Sequence, residues 1–344
     1  MHFKCVKALG PPHSMAQLNI LVSLITEDND YQREQAASAQ AAAHRVGANV
    51  QIMYAGNDAV HQTQQILQFI QDSKKKLDAI IVEPVGTGMF QVAKAAVAKG
   101  IAWGLINAGV DYLSQLRQQA QVPVFSVLSD NETIGKIQGQ HIASLLGDMG
   151  TILLVEGPTV RDVARLRTKG MMSTKPASVA VKSIKGDWTE KSSYQAVKSW
   201  LTLSTSRELH IGMIVCQNDD MAIGARRAFE ELSDLKERDS WLRLPITGCD
   251  GVARAGQAWV SQRRLTATVI SPPLIGDALQ LLSSALKSGS QPPEVTLVAP
   301  SSFPTIAELK NKRGAVADSE ATDVNPSSQS QTTAARRAGS SQGQ

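Results

Sequence analysis

From residue 19 to residue 286 short apolar runs alternate with stretches of helical periodicity, and the whole order starts again near the middle of the chain. Apolar runs over 19–26, 50–54, 78–83, 101–106 and 123–128 predict strands, and the segments 31–46, 59–72, 89–99 and 112–119 predict helices between them. The second round predicts a helix over 134–146 and strands over 151–156, 179–184, 211–216, 244–249 and 265–270. Helices over 163–172, 192–203, 221–232 and 252–261 separate these strands, and 274–286 closes the series. Short apolar strands joined by helices demand a parallel sheet covered on both faces. Two such rounds predict an α/β chain of two doubly wound parallel-sheet lobes. The 344 residues suffice for two domains of ordinary size, and 42% hydrophobic residues can supply a core in each.

One strand shows best where ligand chemistry would sit. The run Ile211 to Cys216 ends abruptly in Gln217, Asn218, Asp219 and Asp220, and a helical pattern (Met221, Ala222, Ile223, Ala225) follows at once. An Asn or Asp here caps the helix by accepting from its free amide groups. Capping needs one such residue, and four in a row point to binding as well. In open α/β sheets ligands lie outside the carboxyl ends of the strands.

The other predicted strand ends carry related residues. They are Thr26 to Tyr31, Glu83-Pro84-Val85, Asn107-Ala108, Glu156-Gly157-Pro158, Gly186-Asp187-Trp188, Gly248 to Gly251 and Ser271-Pro272-Pro273. Asn and Asp supply directed donors and acceptors for hydroxyl groups. Tyr31 and Trp188, one aromatic in each lobe, can cover the C–H faces of a ring, although each also reads as a packing residue. The mixture suits an uncharged sugar or polyol better than a phosphate or an apolar molecule.

Several classes are excluded or unsupported. The formal charge is only +4, from 35 basic and 31 acidic residues, and no basic stripe interleaved with aromatics implies nucleic acid. Three cysteines cannot form a disulfide framework, and Cys216 and Cys249 read as small buried hydrophobes. The six histidines are scattered without metal-ligand spacing, and no cofactor is implied. No Gly-x-Ser-x-Gly elbow, phosphate-binding loop or His-Glu-x-x-His motif supports an enzyme. Residues 1–17 hold no apolar run of signal-peptide length, so the chain reads as cytoplasmic or as one whose export signal is lost or replaced. The residues after Lys310 are rich in Ser, Gln, Ala and Thr and predict a disordered tail. Residues 236–242, with Trp241, read as a long loop, either an inert surface insertion or a partner surface.

Over roughly 19–309 the chain resembles the periplasmic sugar-binding proteins of ABC transporters, the ribose-binding-like type I branch. The matching residues are Asn29 and Tyr31; Asp78 to Pro84; Ser129-Asp130-Asn131; Ala164 to Arg167 with Gly170; Gln217 to Asp219 with Met221 to Ala225; Gly248, Asp250 and Gly251; and Ala267 to Val269 before Ser271. The resemblance implies two lobes joined by a three-strand hinge and closing over one small ligand. The first lobe would comprise 18–128 with 272–291, and the second 129–271 with 292–309, with an extension over 1–17 and a tail over 310–344. Implied ligand contacts are Asn29, Tyr31 and Asn107 from the first lobe and Arg167, Trp188, Asn218 and Asp250 from the second, with Ser271 near the hinge. Arg165 is implied as a structural ion-pair partner. The implied partner is an ABC permease, or a chemoreceptor or sensor kinase, with the chain itself a monomer in the periplasm.

Departures bear on the ligand. The Asp-Arg pair usual after the fourth strand is Asn107-Ala108 here, and the usual Asn-Pro-aromatic-aromatic opening is Asn29-Asp30-Tyr31-Gln32. Ser271 stands where a longer amide is common. Fewer charges and one fewer ring argue against ribose and for a differently shaped polyol. A cytoplasmic sensor on the same fold is the alternative function. Lac-repressor-type regulators share the fold, but the 18 residues before Asn19 are too few for their DNA-binding module.

Overall fold

The structure, a computed structural model, describes residues 17–72, 76–159, 162–204, 206 and 209–311. The expected extension and tail, with Cys5, lie almost wholly outside the described residues. The first round of elements is β1 (Leu18–Leu24), α1 (Asp30–Val46), β2 (Ala48–Tyr54), α2 (Ala59–Gln71), β3 (Ala79–Val82), α3 (Phe90–Ala98), β4 (Ala102–Ile106), α4 (Leu113–Gln119) and β5 (Val124–Ser129). The second is α5 (Asn131–Leu145), β6 (Gly150–Glu156), α6 (Asp162–Thr174), β7 (Val179–Lys185), α7 (Glu190–Leu201), β8 (Ile211–Cys216), α8 (Asp219–Glu230), α9 (Leu235–Leu242), β9 (Ile246–Asp250) and β10 (Ala267–Ile270). Then come α10 (Ile275–Ser288), β11 (Val295–Val298) and β12 (Ser301–Phe303).

The two sheets have the same topology. The first runs β11-β5-β4-β3-β1-β2 and the second β12-β10-β9-β8-β6-β7. All pairings among them are parallel except β12 against β10. Strand order therefore reverses between β1 and β3 and again between β6 and β8, where α/β sheets open a crevice at their carboxyl ends.

Side-chain alternation along the strands feeds a core on each face. Ile20, Val22 and Leu24 pack with Ile81, Phe125 and Val127 beneath α1 and α10, where Ala39, Ala43, Leu279 and Leu282 meet them. Leu21, Ile80, Val82, Trp103 and Leu105 face the other way, onto Ile66 of α2, Val92 of α3 and Leu116 of α4. In the second lobe Leu153, Val155, Ile214 and Cys216 pack under α7 and α8, and Ile152, Leu154, Met213 and Val215 pack on Ile142 and Met171. Cys216 and Cys249 are free and buried, as their place in apolar runs predicts.

The chain crosses between sheets three times: from β5 into α5, from β10 into α10, and between β11 and β12. The third crossing falls later than the expected lobe division. Val295–Val298 pairs in parallel with Ser126 to Ser129 at the edge of the first sheet, so the segment 292–309 is split between the lobes. Without β11, the β5 edge would present unpaired backbone groups.

Two other expectations change. Residues 252–261 form a π-helical turn, Ala253–Gln257, running into the short helical turn Ala258–Ser261. The wide turn accommodates the Asp219 carboxylate, which accepts from Gly251 N at 2.7 Å and from Thr268 Oγ1 at 2.7 Å. A Cβ on Gly256 would come within 1.9 Å of that carboxylate. The expected loop over 236–242 is helix α9, and its Trp241 belongs to the second-lobe core: it stacks on Phe229 at 4.9 Å and meets Trp200 edge-on at 5.7 Å. Trp241→Ala should cost about 2–4 kcal/mol of stability, read by chemical denaturation, through a lost aromatic triad.

Buried carboxyls make stability pH-dependent. Burial pushes Asp219 up to about 8 and Asp220 up to about 7 from an ordinary value of 3.8. A raised carboxyl binds its proton more tightly in the folded chain, so stability falls as pH rises through this window. His141, pushed down to about 4 from 6.5 by burial, acts in the opposite sense, but only below 6.5. The apparent Tm should therefore fall between pH 6.5 and 8, and Asp220→Asn should make the fall shallower; an unchanged slope in a pH series of melts would refute the assignment.

Candidate functional site

Each residue at the crevice is set by the element that carries it. Asn29 caps α1, its Oδ1 accepting from Gln32 N at 2.9 Å. That cap turns Tyr31 into the interlobe space, where it is buried and its hydroxyl donates to the Pro272 carbonyl at 3.3 Å. Burial, followed by the nearby Glu83 and Asp250 carboxyls, pushes the Tyr31 phenol up, so it stays protonated. At the end of β3 the Glu83 carboxylate accepts from Gln32 Nε2 at 2.8 Å and from Asn107 Nδ2 at 3.0 Å. Asn107 Oδ1 is buried without a partner in the protein.

On the second lobe α5 and α6 touch backbone to backbone. A Cβ on Gly135 would lie 2.0 Å from the Arg167 carbonyl oxygen, and one on Gly170 would lie 2.0 Å from that of Glu132. This approach brings Arg167 against Asn131, whose Oδ1 accepts from Arg167 Nε at 3.0 Å. Arg167 Nη1 also donates to the Gln217 carbonyl and lies 3.9 Å from Asp250 Oδ1. Asp250 is buried beneath the guanidinium; burial raises its pKa well above the ordinary value and Arg167 only partly offsets this.

The four residues after β8 do four different things. Gln217 Nε2 donates to Ala164 O and Thr168 Oγ1, and its Oε1 accepts from Gly157 N. Asn218 Oδ1 caps α8 through Met221 N, while its Nδ2 donates to Trp188 O at 2.9 Å. Asp219 anchors the β9–β10 end. Asp220 Oδ2 reaches across and accepts from Asp30 N of the first lobe at 3.1 Å. Only Asn218 of the four lines the pocket, so the polar run is in large part structural.

Trp188 packs on the second-lobe core and also lines the pocket. Its indole lies over Gly157, where a Cβ would approach it to 2.3 Å, and Arg167 Cζ sits 5.7 Å from the ring. Asn107, Trp188 and Asp250 all have positive φ, at 52°, 61° and 109°. Such backbone strain in residues other than glycine gathers where geometry is imposed on a side chain.

Seven of the eight expected contacts thus line one pocket: Asn29, Tyr31, Asn107, Arg167, Trp188, Asn218 and Asp250. Ser271 does not. It is buried and pairs its hydroxyl with Ser129 at 2.9 Å, tying two of the crossings together. Ile25, Gln32, Glu83 and Val163 also line the pocket. Glu83 was open to detection as an acid ending a buried strand; the role of Gln32 depends on its neighbours across the fold. Arg165 is an exposed ion-pair partner of Asp162 at 2.6 Å, as its place in the motif implies. The lobes meet at the rim, where Asn29 Nδ2 lies 3.4 Å from Trp188 O, and about 30 Å³ remains free among these side chains.

The profile of the periplasmic binding protein domain matches residues 20–290. The chain is 24% identical over 288 residues to the galactofuranose-binding protein YtfQ of Escherichia coli, covering 82% of this chain and 86% of that one. It is 23% identical over 265 residues to the ribose import binding protein RbsB of the same organism, covering 76% and 81%. Its fold matches an ABC transporter solute-binding protein from Actinobacillus succinogenes, solved with bound D-allose, at a TM-score of 0.71 and 21% identity, over 86% of this chain and 100% of that one. With the profile spanning both lobes and the pocket between them, this chain belongs to the periplasmic binding protein family.

Proposed function

We propose that the protein is a solute-binding protein that holds an uncharged sugar or polyol between its lobes and presents it to an ABC permease. The observation that carries this reading is the convergence of amide, guanidinium, carboxyl and aromatic groups from both lobes on one buried pocket. Asn107 Oδ1 is an acceptor in want of a hydroxyl donor. Arg167 and Asp250 offer a forked donor and an acceptor at the same point. Glu83, engaged by two amides, orients them instead of attracting a cation.

A free volume of about 30 Å³ admits water but no sugar ring. Ligand entry therefore requires the lobes to part about the three crossings and then to close. A ring held in the pocket must lengthen or break the rim contacts of this state, Asn29 to Trp188 and Asp30 to Asp220, and so writes ligand occupancy into the relative position of the lobes. The family's periplasmic setting supports work outside the cytoplasm, and the relatives, which are binding proteins, support capture without turnover.

A thermal-shift screen over pentoses, hexoses and inositols tests the reading, because a ligand of the native state raises the apparent Tm. For any sugar that binds, Asp250→Asn and Asn107→Gly should each weaken binding by about 1–3 kcal/mol in calorimetry. Both changes tolerate the positive φ at their positions, so the melting temperature of the free protein serves as the control. Normal affinity in both variants would remove these residues from the site. Trp188→Ala should lower affinity; unchanged affinity with a large stability loss would make it a core residue only.

A further inference from the structure

Beside the central pocket lies a second, larger cavity of about 670 Å³, and the two share Asn107 and Val163 as common walls. Both lobes build it. The first contributes Ala108, Val110, Phe90 and Tyr112, and the second Leu166 and the acidic residues at the starts of α5 and α6. Phe90 and Tyr112 form an aromatic wall, their ring centroids 5.2 Å apart and tilted by 35°. At the junction Ala108 offers only a methyl group, directly after the residue whose positive φ aims its amide into the central pocket.

We propose that this chamber receives a second, uncharged ring joined to the sugar held in the central pocket, so that the natural ligand is a glycoside or disaccharide. The inference rests on the sugar-binding reading and extends it. The size decides against a single ring: sites of about 300–1,000 Å³ suit ligands well beyond a monosaccharide. The lining decides the chemistry. More of the lining surface is apolar than polar, and the charges among its described residues are all acidic. Glu132 is paired with Lys169 at 2.8 Å and Asp162 with Arg165 at 2.6 Å; Asp130 accepts from Thr133 N at 3.0 Å and Thr133 Oγ1 at 2.8 Å, and Asp111 is exposed. No Lys, Arg or His stands among the described lining residues, so these offer a phosphate or uronate extension no cationic partner. Asn107 Oδ1, unpartnered at the shared wall, is placed to accept from a hydroxyl next to the linking oxygen.

Calorimetry on the full chain with D-galactose, D-ribose and D-xylose, each free and as its phenyl glycoside, and with lactose, tests this. A phenyl glycoside or lactose should bind about tenfold or more tighter than the free sugar it contains. Which of the two gains more separates an aromatic aglycone from a second sugar. Ala108→Arg and Val110→Trp, each checked for an unchanged melting profile, should bring the ratio of glycoside to free-sugar affinity to about one. A free sugar that binds as tightly as its glycosides, or a gain untouched by both variants, overturns the chamber assignment and leaves the central site standing. Binding by none of these probes overturns the chamber assignment, and the absence of any stabilising pentose, hexose or inositol in the thermal-shift screen overturns the sugar reading itself.

Discussion

Strand order is the constraint from which the rest follows. A parallel sheet buries both faces, and right-handed crossovers send the helices to opposite faces on either side of the first strand of each lobe. Between β1 and β3, and between β6 and β8, the connections diverge and leave strand ends uncovered. Polar side chains there do not have to compete with a helix packed above them. Because both lobes share one topology and are joined at three points, the two gaps face each other across the hinge. The pocket is thus a product of chain winding before any particular side chain is chosen.

Side chains then divide between shaping the gap and facing it. Gln217 and Asp219 satisfy backbone and hydroxyl groups inside the second lobe, and Glu83 does the same service for two amides of the first. Asn29 and Asn218 do both at once: each caps its helix with the oxygen and spends the nitrogen on the Trp188 carbonyl. One amide side chain can bind in two directions, which explains why asparagine recurs at these helix starts.

Most of the fold was legible because buried parallel strands are continuous apolar runs and their helices show the 3.6-residue period. The β11 exchange was not legible, since Val295–Val298 is four residues long and alternates exposed and half-buried positions at a sheet edge. The π-helical turn after β9 depends on a carboxylate from a helix more than thirty residues earlier, and no local pattern encodes that. Trp241 read as a loop residue because α9 is strongly polar and its one large aromatic meets partners on α7 and α8. At the pocket, Asn29, Tyr31, Asn107, Trp188, Asn218 and Asp250 stand among the strand-end residues, whereas Arg167, on α6, entered only through the family resemblance. Ser271 was placed correctly near the hinge, yet its hydroxyl is spent on Ser129, a pairing visible only once the crossings are side by side.

The three pocket residues with positive φ carry a consequence for how such a protein can diversify. Left-handed backbone is open to Gly, Asn and Asp and costly for nearly everything else, by about 1–3 kcal/mol. Asn107 and Asp250 are therefore nearly frozen by their own main chain, and Trp188 persists there because its ring is wedged over Gly157. Drift toward new guests must run through neighbours with ordinary dihedrals, such as Ala108 and the opening turn of α6. Selection on such a lineage would confine positions 107 and 250 to Gly, Asn and Asp while their neighbours vary freely.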